Sequence, residues 1–553
     1  MDPPSPELLR AKDADSPAVQ SSSQPQQPST SRSTQRWIRK AKDCASLVAV
    51  HTKHTGVGIV CAVAYFDPGN WGVDLQAGSQ YGYKLLFVVL LSGIFAIFFQ
   101  TQASRLGCVT GLDLASHCRL LLYDRPKHKS LYRWLLLYPL YVLSEIAIIS
   151  TDLAELLGSA IALCMLFPSL PLWAGVVITA SDVLLLLAFR DPIRGQPVRI
   201  FELFIAILVF TVLICMAYII SKAQPVWADA FRGYLPSKTL FQPALSIHVT
   251  SSFCHAIGII GATVMPHSLF LGSALATQDR LSEAKPEKML KSHATESTVS
   301  ADSDLTTSST STQVTPPHGD SRPLLERFLA AARRHLRVLP RDALMDEPKS
   351  HAEREKTLTL SLLGLAVVIN SLILILSSAV FFHGDTGTQD PASLFDAYDL
   401  LTRIVGKPAA ILFALALLAA GQSSSIIATL AGQIVSEGFI RWRLSPMMRR
   451  LFTRCLGLVP ALAVAAGLGR SGIDTLLVAS QVVLSIVLPF VVFPLMWLTS
   501  SKTVMAIKRP AEQQYEIVHF SNGKISIVVG YAIWIVIVMA NIYAIVGLAR
   551  GEE

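Results

Sequence analysis

The sequence predicts an all-α polytopic membrane protein with eleven transmembrane helices. Three observations lead there. Of 553 residues, 52% are hydrophobic and only 16% are charged, against about 25% charged in soluble domains. The apolar residues lie in unbroken blocks, and a block of about 20 residues crosses a ~30 Å hydrocarbon core as a helix. Lipid offers no partner for an unpaired backbone group, which forces those blocks into helices; a β-barrel would alternate polar and apolar residues in segments of about 10.

The blocks run roughly over 48–80, 84–103, 134–164, 171–189, 200–221, 248–277, 358–382, 407–438, 452–468, 473–499 and 525–548. Basic residues collect in alternate connections. Arg105, Arg119, Arg125, Lys127, Lys129 and Arg133 follow span 2, and Arg190 and Arg194 follow span 4. Arg441, Arg443, Arg449 and Arg450 follow span 8, and Lys502, Lys508 and Arg509 follow span 10. Two of the other loops, around 167–171 and 467–472, hold one basic residue between them. The positive-inside rule then puts the basic loops and the N-terminus in the cytoplasm and, with eleven spans, the C-terminus outside. The net charge of +8 reflects this topology and points to no nucleic-acid partner.

Residues 1–44 are expected to form a disordered cytoplasmic tail, rich in Ser, Pro and Gln through residue 36. Spans 1–5 occupy 45–222, spans 6–10 occupy 245–500, and span 11 occupies 524–550. A polar cytoplasmic loop, 279–356, interrupts the second group. Its Ser/Thr-dominated stretch 293–316 is expected to be disordered. Leu325, Phe328, Leu329, Ala332, Leu336 and Leu339 then recur at helical spacing among arginines, which suits either a basic helix on the inner leaflet or a plain soluble helix. The eight cysteines contain no CxxC pair and read as small apolar side chains.

The chemistry concentrates at two interruptions. Asp67-Pro68-Gly69-Asn70 stands inside span 1. In a soluble protein this would be a surface turn. Within a span, Pro68 removes a backbone donor and Gly69 relaxes the helix, so the helix breaks beside a carboxylate. An acid at membrane depth is costly unless paired or hydrated, which makes it a site by default. Gly261-Ala262-Thr263-Val264-Met265-Pro266-His267 interrupts span 6 in the same way. Interrupted helices in corresponding halves of a chain point to a transporter's central site. With five spans per half, the copies must be inverted, giving a 5+5 inverted repeat with broken spans 1 and 6.

Asp67 offers a charged oxygen, Asn70 an amide oxygen, the Ala262 carbonyl an oxygen freed by the break, and Met265 a thioether. Oxygens alone suit Ca²⁺ or Mg²⁺; the thioether shifts preference toward Mn²⁺ and Fe²⁺. His267 can exchange protons near neutral pH. In span 3, Glu145, Asp152 and Glu155 fall at i, i+7 and i+10 on one helix face. Arg454, at the start of span 9, is a candidate partner. A proton path or a structural ion-pair network would each explain them. Asp182 and the Arg199–Glu202 pair read as structural pairing.

These segments resemble the Nramp family of proton-coupled divalent metal transporters, most closely its fungal, Smf-type manganese transporters. Beyond the two broken motifs, the resemblance is carried by Gln76–Leu86, Thr151-Asp152-Leu153-Ala154-Glu155, Ala420-Gly421-Gln422-Ser423-Ser424-Ser425, Ala431-Gly432-Gln433, Glu437-Gly438-Phe439, Ser480–Ser485 and Leu488-Pro489-Phe490. It covers nearly all of 45–500. It implies a LeuT-type fold and proton-driven uptake of Mn²⁺ or Fe²⁺ as cargo, with no resident cofactor and a monomer in the lipid bilayer. Asp67, Asn70, Ala262 and Met265 would be metal ligands, with Gln481 joining in some states. Asp67, His267, Asp152 and Glu155 would carry protons. Ser268 and Gly272 stand where many members have Asn and a second His, so a proton role of that second His has no counterpart here. The membrane would be the plasma membrane or an endosomal or vacuolar one.

Other readings compete. An amino-acid transporter of the same architecture would present a helix N-terminus to the substrate carboxylate, which Asp67 would repel. A sensor reusing the fold would call for a large soluble output domain. An enzyme is disfavoured, since no His-Glu-x-x-His, phosphate loop or nucleophile elbow occurs.

Overall fold

The structure is a computed structural model describing Tyr65 and residues 67–123, 125, 128–181, 199–236, 247–277, 362–383, 392–442, 445–510 and 515–549. The N-terminal tail, span 1 before Tyr65, Asp182, Arg190, Arg194 and the loop 279–356 lie outside the described residues, as do the side chains of Arg199 and Glu202.

The chain runs through α1 (Pro68–Tyr81), a 3₁₀ turn (Gly82–Leu85) and α2 (Leu86–Thr110). A short α3 (Leu114–Leu122) leads to α4 (Lys129–Leu166), which opens with a π-type turn at Arg133–Leu137. There follow α5 (Leu172–Ala180), α6 (Arg199–Ala223), α7 (Trp227–Gly233), α8 (Ile247–Thr263) and α9 (Pro266–Leu275). After the large loop come α10 (Val368–Phe382), α11 (Leu394–Ile404), α12 (Lys407–Ile440), α13 (Pro446–Gly467) and α14 (Gly469–Ser500). A hairpin of β1 (Ala506–Pro510) and β2 (Tyr515–His519) precedes α15 (Lys524–Ala549).

Six helical stretches among the described residues are long and apolar enough to cross a membrane, and three shorter apolar helices accompany them. The chain is a multi-pass membrane protein. The outward faces confirm the solvent: α15 exposes Ile525, Val528, Ile535 and Met539, a continuous apolar surface that water would not tolerate. Of its most apolar window only 17% is buried, so α15 flanks the bundle and does not core it.

Two features depart from a purely helical expectation. β1 and β2 pair antiparallel, with Ala506 opposite His519 and Pro510 opposite Tyr515, in the basic connection after span 10. The β-branched residues of Ile507, Ile517 and Val518 suit that pairing. The amphipathic α11 lies in the connection before α12 and is started by a capping box between Ser393 and Asp396. Among the described cysteines none forms a disulfide; Cys108, Cys118 and Cys215 are buried, whereas Cys455 is exposed.

The inner layer positions the site. α12 packs along α4 and α6, α14 lies against α4 and α8, and α1 is held between α10, α8 and α14. Small residues set these approaches. A Cβ on Gly158 of α4 would sit 2.0 Å from Pro68 Cβ, and one on Gly421 of α12 would sit 2.3 Å from Ser159 Oγ. The span 1 break is therefore pressed directly against α4 and α12.

Candidate metal centre

The two interruptions form as the residue types dictate. Asp67 takes an extended conformation (φ −72°, ψ 156°) and caps α1. Its Oδ2 accepts from Gly69 N at 3.0 Å and its Oδ1 from Asn70 N at 3.3 Å, satisfying donors that every helix start leaves open. In the second interruption α8 stops at Thr263 and α9 starts at Pro266. An intact helix would bond the 266 N–H to the carbonyl of 262. Pro266 has no N–H, which frees the Ala262 carbonyl.

The two breaks meet. Asn70 Nδ2 donates to Asp67 Oδ1 at 2.6 Å, to Ala262 O at 3.0 Å and to Tyr65 O at 3.2 Å. Three oxygens from both breaks thus converge on one point. Asp67, Asn70, Ala262 and Met265 are each completely buried. Asn70 departs from the expected arrangement: it presents its nitrogen to these oxygens, while its Oδ1 accepts from Asn370 Nδ2 of α10 at 3.3 Å. Turning the amide over would aim the oxygen inward and the nitrogen toward Asn370. Met265 stands at the break in extended conformation (φ −69°, ψ 123°).

Gln481 of α14 comes to the same place. A Cβ on Gly69 would lie 1.9 Å from Gln481 Nε2 and 2.5 Å from Asp67 Oδ2, so only glycine lets these two side chains flank the break. Gln481 donates to Ser480 Oγ at 3.1 Å, and its buried Oε1 has no hydrogen-bond partner among the described residues. Further bonds join the breaks: Tyr65 Oη meets Ser268 Oγ at 3.2 Å, and Ser268 Oγ donates to the Met265 carbonyl at 2.8 Å.

His267 extends the polar line toward α4. Its Nδ1 lies 3.2 Å from Thr151 Oγ1, whose hydroxyl donates to Ala147 O at 3.0 Å. With the hydroxyl hydrogen used there, His267 Nδ1 is the donor of the pair. The next residue, Asp152, pairs with Arg454 of α13: Nη1 is 3.4 Å from Asp152 Oδ1 and 3.0 Å from its carbonyl. Arg454 Nη2 also donates to Ser425 Oγ, which gives the last serine of Ala420–Ser425 a structural task. Glu155 is fully buried one turn further along α4. Glu145 pairs with Arg449, one of the cations that follow span 8.

Among the described residues no three His, Cys, Asp or Glu side chains gather as a metal group; the centre has one carboxylate among neutral donors. Tyr65, Asn370 and Thr151, to which the sequence analysis assigns no role, add to the polar lining. Asn370 carried a signal, being a lone amide in the apolar run Val367-Val368-Ile369-Asn370.

A helix that starts at the Asp67 cap and a helix interrupted before Pro266 meet at a buried polar core inside an apolar bundle, an arrangement suited to a membrane transporter. The comparisons make the family plain. The model of the family described as natural resistance-associated macrophage protein-like (Nramp) matches residues 58–308 and 338–547. The chain is 39% identical over 518 residues to the manganese transporter pdt1 of Schizosaccharomyces pombe, covering 92% of this chain and 88% of that one. It is 36% identical to the iron transporter SMF3 of Saccharomyces cerevisiae, over 91% and 97% of the two chains. A crystal structure of a mutant of the Eremococcus coleocola manganese transporter superposes with a TM-score of 0.65 at 29% identity, over 90% and 87% of the two chains. The chain belongs to the Nramp family, whose members are transporters and not enzymes.

Proposed function

We propose that this protein moves divalent transition metal ions, Mn²⁺ or Fe²⁺, toward the cytosol together with protons, by alternating access. The convergence of three oxygens from both helix breaks on one point supports this reading most. A divalent ion needs oxygen ligands at about 2.0–2.6 Å, and turning the Asn70 amide would exchange its donor for an acceptor there. Asp67, Asn70, the Ala262 carbonyl and Met265 form the proposed ligand set, with Gln481 swinging in as the site closes. A single carboxylate holds the ion weakly enough for release. The relatives named for manganese and iron transport agree with such a cargo.

Asp67 and His267 take up protons at the centre, and Asp152, Glu155 and Glu145, held by Arg454 and Arg449, carry them along α4. A bound cation repels protons from Asp67 and its neighbours, which links the two fluxes. The two halves, 45–222 and 245–500, are proposed as the inverted repeats of a LeuT-type fold with eleven spans. The protein would act as a monomer in the plasma membrane or an endosomal or vacuolar membrane, N-terminus inside and C-terminus outside.

X-ray absorption of the Mn²⁺-loaded protein tests the ligand set. A sulfur scatterer is expected in wild type and absent in Met265→Ala, with Mn²⁺ binding lost in Asp67→Ala. An all-oxygen shell in wild type would remove Met265 from the set.

A further inference from the structure

Asp74 of α1 is a buried acid that the mechanism above leaves unused. It is 1% exposed, and its Oδ2 has no hydrogen-bond partner. No ion pair among the described residues involves it. It follows Asp67 by seven residues, about 10 Å along the helix and within about 20° of the same face. It therefore stands on the side of the centre leading to the end of α1, the extracytoplasmic side in the proposed orientation.

Its surroundings follow from its neighbours at i−3 and i+4. Trp71 packs on Phe413 of α12, with ring centroids 5.4 Å apart. Gly78 abuts the Leu374 carbonyl and Ser377 of α10. Asp74 shares this stripe and so faces α10 and α12. Helix α10 has no titratable side chain, and α12 has only Lys407 and Glu437, at its two ends. Asp67 acts on Asp74 by like charge and Glu155 is buried midway along α4, while most other charged or titratable groups on the elements packed against α1 are engaged elsewhere or lie near helix ends. His255 of α8 meets Gln76 Oε1 at 3.2 Å and the Tyr81 ring. Asp152 of α4 pairs with Arg454, and Glu155 lies one turn further along. Asp474 and Arg470 lie in the first turns of α14, Asp396, Asp399 and Arg403 on α11, and Lys84 in the turn after α1. Asn70, four residues before Asp74, is bonded to Tyr65, Asp67, Ala262 and Asn370.

A carboxylate with neither donor nor cation is far costlier to bury than its neutral acid. We propose that Asp74 is a proton-exchanging carboxyl of the transport cycle, neutral whenever α1 is sealed against α10 and α12. When that seam opens, extracytoplasmic water hydrates the group and its O–H bond breaks, the proton going to water. Resealing requires the reverse step, a proton taken from extracytoplasmic water. Closure is thereby tied to outside pH. This inference rests on the transport reading above.

The test compares wild type, Asp74→Asn and Asp74→Glu in proteoliposomes, with Mn²⁺ uptake followed at outside pH 5.5 to 7.5. In wild type, uptake should fall as outside pH rises. Asp74→Asn, permanently neutral, should lose at least about half of that fall while its KM for Mn²⁺ stays within about twofold, and Asp74→Glu should restore the dependence. An unchanged pH profile in Asp74→Asn overturns the proposal and leaves Asp74 a polar filler. Where Asp74→Asn moves no ion, or wild type itself moves none, the thermal midpoint of the detergent-purified protein decides. A site buried neutral loses stability as pH rises from 5.5 to 8, so the midpoint should drop less in Asp74→Asn than in wild type. Equal drops overturn the proposal. Failure of wild type to move Mn²⁺ would instead count against the transport reading.

Discussion

A close approach between two rigid parts of the bundle gives the sharpest prediction. A methyl group added at Gly158 would lie 2.0 Å from Pro68 Cβ and 2.4 Å from its Cγ. Carbon atoms in contact rest about 3.5–4.0 Å apart, so α4 and the start of α1 must separate by about 1.5 Å. Both atoms belong to a rigid ring on well-packed backbone, which leaves no flexible side chain to absorb the shift. Overpacking of this kind costs about 1–3 kcal/mol, equivalent to about 5- to 150-fold in an equilibrium constant. Pro68 adjoins Asp67, and metal–oxygen bonds tolerate little displacement. Gly158→Ala should therefore weaken Mn²⁺ binding within that range, lower the thermal midpoint, or divide the cost between the two. Titration calorimetry and a melting curve on the same purified sample read both. Gly467→Ala is the control, because a Cβ there meets nothing within 4 Å. Wild-type affinity and midpoint in Gly158→Ala would refute the packing argument.

Other outcomes follow from the ion pairs and from buried groups outside the spans. Arg454→Leu leaves Asp152 buried without its cation, a loss of about 3–5 kcal/mol; adding Asp152→Asn should recover part of it, and a fully additive double variant would deny the coupling. Burial lowers the pKa of His117, in the loop helix α3, from 6.5 to about 4. Only the unfolded chain then takes up this proton between those values, so stability is full above about pH 6.5 and declines as pH falls toward about 4, by roughly 3 kcal/mol. The thermal midpoint should fall more steeply over that range in wild type than in His117→Gln, and parallel curves would exclude His117 as the cause. Gly69→Ala places a methyl 1.9 Å from Gln481 Nε2; it should displace Gln481 and reduce Mn²⁺ uptake at least about tenfold, an expectation that wild-type uptake would contradict.

Much of the centre could be read in one dimension because proline and glycine act locally. Pro266 frees the Ala262 carbonyl whatever surrounds it, and Asp67 caps the helix that Pro68 starts. The periodicity of Glu145, Asp152 and Glu155 likewise needs only a helix. Partner choice is different. Glu145 and Arg449 are 304 residues apart, and nothing in either neighbourhood names the other. Which way Asn70 turns depends on Asn370, supplied by a helix 300 residues later. Asp74 escaped because it follows the break within a stretch read for its apolar residues. The hairpin 506–519 and α11 were hidden by polar connections, where hydropathy reports only that the chain has left the membrane.

The central claim is coupled transport through the two breaks. It is tested most directly by Mn²⁺ uptake into proteoliposomes with and without an inward proton gradient, for wild type, Asp67→Ala and Met265→Ala, with Ca²⁺ as competitor. The account predicts gradient-stimulated uptake in wild type, none in Asp67→Ala, and stronger inhibition by Ca²⁺ in Met265→Ala. Wild-type protein that moves no Mn²⁺ under any gradient would contradict it.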